Sequence, residues 1–397
     1  MTVVVSPQLY LRLAVAFCIV VGLYDTAFVM ATLLGGVPGF AGRQWVLFPD
    51  LLTPLAAVRA FFEGKLSIVY DIDKFAQFQN VIYADRYAHP VDYRPFPYPP
   101  TWLLLLLPLG LLALDRAIVL FMAIVIGSSA YEARRHPWAW LAVATSPAAV
   151  HVVLSGQATF FGMALLYGGL RLLERSPIAA GVLFGLLSYK PHFCLLIPIA
   201  LIAARQWRAL FAAAATSLAL GLVSLAVLGP QVWIDFIEFT RASSGPRVMG
   251  YLIEQYSNYM VTPFFSVLGV GLPKPIASGV QLATAALACV AVWHVFRRYP
   301  PSPMRTAVLV AGTFLVSPYM LMYDMLLLMP AVVMLYLRGV RSGFLPLEPF
   351  IYAGLWVTPT LCMGFSRHRL PYAPLAILAF GAMAVWHLKR EDQRVST

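Results

Sequence analysis

Several positions in this chain carry side chains whose type and setting could do chemistry. Asp50, in QWVLFPDLLTPL, follows the first long apolar stretch and precedes Leu51, Leu52, Leu55, Val58, Phe61 and Phe62 at helical spacing. A carboxylate there can cap the helix, which stabilises by about 1 kcal/mol. It can also serve, partly desolvated, as a general base toward a hydroxyl group. Lys190 and His192 flank Pro191 in GLLSYKPHFCLLIP, between two apolar segments. A cation there can snorkel toward headgroups or hold an anion such as a lipid phosphate. Arg241 and Arg247 in one connection, and Arg367, His368 and Arg369 in another, could converge on the same anion. Asp324 lies beside Tyr323 in SPYMLMYDMLLLMP, and Asp25 lies late in the first apolar segment. Acids near or within membrane segments read as functional by default, with an interfacial turn as the plain alternative.

The elements that must position these residues follow from composition. Of 397 residues 60% are hydrophobic and only 11% charged, and the mean hydropathy is +0.78. Soluble domains are about a quarter charged, so the expected class is an all-α polytopic membrane protein. Apolar windows recur along the whole chain, suggesting about twelve or thirteen membrane segments. They fall near 9–34, 99–114, 117–131, 137–154, 157–173, 177–189 and 191–204, then 209–228, 275–296, 305–322, 324–337, 349–363 and 372–388. Residues 1–34 have no small-residue cleavage site and read as a retained first helix. Tyr98 and Trp102, around Pro99 and Pro100 in FPYPPTW, are expected as aromatic anchors at headgroup level, the prolines opening a helix.

Basic residues recur after alternate segments: Arg171 and Arg175, Arg205 and Arg208, Arg297 and Arg298, Arg338 and Arg341, Lys389 and Arg390. Under the positive-inside rule these connections share the cytoplasmic side. Arg134, Arg135 and His136 break that alternation unless one segment between 99 and 154 is re-entrant. The net charge of +11 is spread in pairs rather than along a stripe, so nucleic acid is not an expected partner. Two long connections, 35–98 and 229–274, fall on the opposite side. The first carries six of the seventeen acids, and Asp50 opens an expected interfacial helix there. Long connections of this kind tend to be functional. The four cysteines show no metal or disulfide spacing, and no nucleotide-binding or hydrolase motif is present.

Several blocks in a fixed order bear a resemblance. They are the acid after the first segment, Gly64 ahead of Tyr70-Asp71, Tyr98–Pro100, Gly156-Gln157 and AGVLFGLLSYKP from Ala180 to Pro191. RQWRAL, from Arg205 to Leu210, and Ser317-Pro318 follow. In this order the chain resembles glycosyltransferase family 87, polyprenyl-phosphate-mannose-type enzymes of the GT-C superfamily. The resemblance implies one GT-C-like membrane domain over 1–397, a bundle with its site on the extracytoplasmic face of a bacterial plasma membrane. It implies inverting transfer of a sugar from a polyprenyl-phosphate donor, a co-substrate rather than a cofactor, onto a glycolipid or glycan hydroxyl. No metal is expected. Asp50 takes the place of the proposed base, and Lys190, with His192, Arg247 and Arg367, that of the donor-phosphate ligands. Asp71, Tyr98, Gln157, Tyr323 and Asp324 are candidates for the substrate site; many relatives have histidine where this chain has Tyr323-Asp324. A transporter or flippase of lipid-linked sugar is the alternative, motivated by the many segments and by Asp25 and Asp324.

Overall fold

A computed structural model of the chain describes residues 48–85, 90–91, 94–133, 137–243, 245–364 and 372–396, with 16, 18, 20–24 and 27 of the first segment. Within these ranges the side chains of 129–133, 137–138, 246–247, 254–255, 363–364 and 394–396 are outside the description. Asp25 and residues 134–136 lie outside the described residues, and so does the break in the charge alternation.

The described chain is helical apart from one antiparallel bridge between Met260 and Leu321. The first long connection supplies α1 (Pro49–Phe62) and α2 (Ile72–Ile82). Next come α3 (Pro100–Leu106), α4 (Leu114–Ala133), α5 (Pro137–Ala144), α6 (Pro147–Ser155), α7 (Thr159–Leu172), α8 (Pro177–Leu186) and α9 (Ile197–Ala203). After the long α10 (Trp207–Leu228), the second connection folds as α11 (Pro230–Ala242), α12 (Pro246–Tyr251) and α13 (Pro263–Gly269). The remainder is α14 (Lys274–Arg298), α15 (Pro303–Val316), α16 (Met329–Ser342), α17 (Glu348–Gly364) and α18 (Tyr372–Ser396).

Among the described residues three helices are long and apolar enough to cross a membrane: Trp207–Leu228, Lys274–Arg298 and Tyr372–Gln393. Several other apolar windows form shorter helices, because proline and polar residues interrupt them, whereas window 117–131 runs as one helix inside α4. Window 137–154 is cut at Ser146-Pro147, whose serine caps α6 through the Ala149 N–H at 3.3 Å. Window 305–322 stops at Val316, since Pro318 cannot extend the helix. The carbonyls this break leaves open, those of Leu315 and Val316, accept from the buried Gln281 side chain at 2.9 and 3.3 Å.

Two expectations need correction. The helix of Asp50 is not a surface helix with one apolar face. Leu51 through Val58, and Ala60, are all buried, while Arg59 is exposed. Nor is Trp102 a headgroup anchor: it is 5% exposed and its ring lies 4.4 Å from that of Tyr189. Pro99 and Pro100 do open α3, as cap and first residue. The cysteines are free, but only Cys362 is buried; Cys18, Cys194 and Cys289 are half-buried.

Close helix approach fixes the frame. Gly181 and Gly185 face α10 so tightly that an added Cβ at Gly181 would meet the Ala209 carbonyl, and one at Gly185 would meet Thr216. Small residues four apart allow such contact without a side-chain layer. The two long connections also meet. Tyr70 packs its ring 5.5 Å from Phe236 and 5.9 Å from Phe239 of α11.

The basic connections gather at one end of the bundle. Arg205, Arg297, Arg305 and Glu174 line one cleft. Arg298 pairs with Asp392 at 2.8 Å, and Arg338 pairs with Glu391 at 2.7 Å. The shared side read from the alternation is therefore a shared face of the fold.

Candidate functional site

The backbone breaks between helices at three places, and these breaks bring the candidate residues together. The first is the entry to α1. Phe48 adopts a left-handed conformation (φ 59°) and donates its N–H to Leu154 O at 3.0 Å. Gly156, the left-handed cap of α6 (φ 76°), lies against Leu51 and Phe48, where a Cβ would sit 2.7 Å from Leu51 Cβ. Glycine is required there by both conformation and space. The contact sets Asp50, at the start of α1, beside Gln157, which follows Gly156. The second break unwinds the chain between α8 and α9, in two short 3-10 turns, Leu187–Tyr189 and Pro191–Phe193, with Lys190 between them. The third is the 3-10 turn Met322–Leu327 after Pro318, which carries Tyr323 and Asp324. Irregular backbone of this kind, within an apolar bundle, is tolerated where protein or a water-filled hollow surrounds it.

The side chains form one network. Gln157 Nε2 donates to Asp50 Oδ2 at 2.8 Å and to the Tyr323 hydroxyl at 3.0 Å, while Gln157 Oε1 accepts from Tyr98 Oη at 3.1 Å. All three bonds agree on one orientation of the amide. Asp50 does not cap its helix: Phe48 is the cap residue and no side chain caps that end. Asp50 is half-buried, and Oδ1 has no hydrogen bond among the described residues. Burial pushes its carboxyl above the ordinary value, while the Gln157 hydrogen bond and the charges of Arg94 and Lys190 pull it back down.

Lys190 and Asp324 form a buried ion pair. Nζ lies 2.6 Å from Oδ1, and the two side chains are 6% and 1% exposed. Thr159 Oγ1 donates to the same oxygen at 3.2 Å, and the Leu321 N–H donates to Oδ2 at 3.2 Å. The Lys190 ammonium also lies 4.5 Å from the Phe193 ring centre and 5.4 Å from that of Tyr323. Burial removes both the snorkelling reading of Lys190 and the interfacial-turn reading of Asp324. Tyr323 joins the two halves, since its hydroxyl accepts from Gln157 and its ring faces Lys190.

Of the candidates, Asp50, Tyr98, Gln157, Tyr323, Lys190 and Asp324 thus converge. His192 lies next to them, with Nε2 buried and unpartnered and its ring 6.3 Å from that of Tyr319. Asp71 does not join the network. It caps α2, accepting from the Lys74 N–H at 3.1 Å and pairing with the Lys74 ammonium at 2.8 Å. These bonds hold its carboxyl below the usual value. Arg247 lies on α12 with its side chain outside the described residues, and Arg367 lies outside them altogether. Two contributors were missed from sequence. Thr159 looked like an ordinary first-turn residue. Arg94, whose charge acts on Asp50, is held through its carbonyl by Gln79 Nε2 at 2.7 Å. Its only signal was a cation directly before the proline-rich run PFPYPP that starts at Pro95.

A family model described as glycosyltransferase family 87 matches residues 96–318, just over half of the chain. The chain belongs to glycosyltransferase family 87. It is therefore a glycosyltransferase, with helices suited to a membrane. No curated protein and no solved structure matches the chain. The family 87 match contains Tyr98, Gln157, Thr159 and Lys190, whereas Asp50, Tyr323 and Asp324 lie beyond its ends. Hydrogen bonds from Gln157 and Lys190 tie those three to the matched region.

Proposed function

We propose that this family 87 enzyme moves a sugar, a mannose-like hexose, from a polyprenyl-phosphate donor to an acceptor hydroxyl on a glycolipid or glycan, with inversion. The observation that supports this best is Asp50: one oxygen anchored by Gln157, the other without a hydrogen bond among the described residues, in a half-buried setting. A base needs an open oxygen, and a fixed one keeps it aimed. Asp50 Oδ1 takes the acceptor proton as the acceptor oxygen attacks the anomeric carbon. The bond from that carbon to the phosphate oxygen breaks, and polyprenyl phosphate leaves as the anion. A single displacement needs only one base, which is why one open carboxylate suffices.

Gln157 holds Asp50, and Tyr98 and Tyr323, each bonded to Gln157, present hydroxyl groups to the sugar. Lys190 faces the departing phosphate beside His192, with Arg94 nearby; Arg247 and Arg367 are the further cations this reading assigns to the phosphate. The bundle is GT-C-like in this reading, and its site end faces the extracytoplasmic side of a bacterial plasma membrane, opposite the basic connections. Of the two acids that motivate the transporter alternative, Asp324 is committed to Lys190 within a buried pair, and Asp25 lies outside the described residues.

The test is turnover by purified protein given membrane lipid extract and either polyprenyl-phosphate mannose or a nucleotide-diphosphate sugar. A mass-identified glycoside of inverted configuration is expected from the lipid donor alone. Turnover from the nucleotide sugar alone, or retention of configuration, would overturn the proposal.

A further inference from the structure

The cleft at the opposite end of the bundle is unrelated to the chemistry above. It encloses about 370 Å³ and is lined by Glu174, Ala203, Ala204, Arg205, Gln206, Phe296, Arg297 and Arg305. Three arginines there face one acid, whose carboxylate accepts from Gln206 Nε2 at 3.3 Å. Arg305 is 6% exposed, with its guanidinium 4.0 Å from the Phe296 ring centre and Nη1 donating to Tyr299 O at 3.1 Å. A guanidinium has five N–H bonds, and no carboxylate hydrogen-bonds to this one among the described residues. The charge of Glu174 reaches Arg305, but that single carboxylate serves three arginines in the cleft lining, which leaves positive charge in excess for a further anion.

Arg205 adds a second, independent observation. It follows α9 at a left-handed position (φ 57°), with its N–H on Ile202 O at 3.0 Å and the Gln206 N–H on Leu201 O at 2.9 Å. This hydrogen-bond pattern ends helices with glycine at the left-handed residue. An arginine there retains backbone strain, and strain retained at a cleft points to function. We infer that this cleft binds the phosphate of an anionic membrane lipid. Forked guanidinium groups suit phosphate oxygens. The flanking helices favour a lipid over a free anion. The outward faces of α10 and α14 are exposed and apolar, with Phe211 and Val290 at 68% and 65%. Trp207 and Trp293, at 48% and 47%, stand near the cleft ends of those helices, where acyl chains would begin. Basic pockets between membrane helices on the face rich in Lys and Arg are suited to anionic headgroups.

The experiment uses full-length protein in neutral detergent, titrated with phosphatidylglycerol, phosphatidylcholine or inorganic phosphate, with retained lipid counted by native mass spectrometry. Phosphatidylglycerol should bind at least about tenfold more tightly than phosphatidylcholine, which has the phosphate without the net charge. Arg205→Gly should weaken phosphatidylglycerol about tenfold, the loss of one charge-assisted contact. Glycine suits the backbone there, so its unfolding temperature should stay level or rise, which separates lost binding from lost folding. Arg297→Gln, at an exposed position, should weaken binding likewise. Equal retention of both lipids, or wild-type affinity in both variants, overturns the inference. Displacement of phosphatidylglycerol by equimolar inorganic phosphate would make the ligand a free anion and overturn the lipid assignment.

Discussion

Asp50→Asn separates chemistry from structure at the candidate base. Gln157 donates to Asp50 Oδ2 at 2.8 Å, and an asparagine carbonyl accepts that bond equally well. Its NH₂ then points where the uncommitted Oδ1 was, placing a donor where a proton must be received. The network survives and the base is lost. General-base removal lowers turnover by roughly 10²–10⁴-fold, equivalent to about 3–5 kcal/mol of transition-state stabilisation. Stability should move the other way. The folded carboxyl is raised above its ordinary value of 3.8 by burial, so the folded state holds its proton to higher pH than the unfolded state. Stability is then greatest below the unfolded value and falls as pH rises through the folded one. At neutral pH Asn avoids that penalty, so its unfolding temperature should match or exceed wild type, and the advantage should vanish in acid. In wild type, kcat/KM should fall about tenfold per pH unit below the Asp50 value, with the inflection above 3.8. The assays are initial rates against pH and unfolding in detergent. An Asp50→Asn enzyme within about tenfold of wild type, a fold-change too small for a lost base, would refute the reasoning.

Lys190→Met should lower stability by about 3–5 kcal/mol, because it strands the buried Asp324 carboxylate. Lys190→Met with Asp324→Asn removes both charges, keeps the amide oxygen as acceptor for the Leu321 N–H, and lets the Thr159 hydroxyl rotate to accept from the new NH₂; it should recover more than half of that loss. Unfolding by denaturing detergent in mixed micelles measures both, and a single-variant loss well under 1 kcal/mol would contradict a desolvated pair. Gly156→Ala places a Cβ 2.7 Å from Leu51 Cβ and 3.2 Å from Phe48 Cα at a φ of 76°. It should destabilise by about 1–3 kcal/mol. It should also reduce turnover by about a hundredfold, since Asp50 moves with α1; unchanged rates would show that this contact does not position the carboxylate.

The sequence makes most helices legible because their apolar windows and prolines act locally. Ser146-Pro147 and Ser317-Pro318 show why the boundaries shift: a polar residue and a proline stop a helix that hydropathy alone would run through. Asp50, Gln157 and Lys190 could each be singled out by setting, yet their convergence could not be read. The Asp50–Gln157 and Lys190–Asp324 bonds span 107 and 134 residues of chain, and no local pattern encodes such pairings. Trp102 misled because an aromatic after a proline pair looks the same whether its ring faces lipid or the bundle interior. The helix of Asp50 misled for a related reason. Its residues at helical spacing implied one covered face, but α2, α3 and α6 cover most of its circumference.

The charges at the site constrain how a phosphate can be met. Asp50 and Asp324 together balance Lys190 and Arg94, and the closest of these contacts, between Lys190 and Asp324, is already a 2.6 Å ion pair. Ionised for catalysis, the four groups sum to zero and offer a departing phosphate no net positive field. The buried pair is also a fixture: it pins the unwound backbone at Lys190 to the turn at Asp324 and sets Tyr323 against Gln157. In the proposed mechanism the charge that steadies a leaving phosphate appears only as the acceptor proton reaches Asp50 and removes its negative charge, leaving Lys190 and Arg94 against Asp324 alone just as the phosphate anion forms. Proton transfer and charge stabilisation are coupled in this way by geometry alone, without any cation having to move.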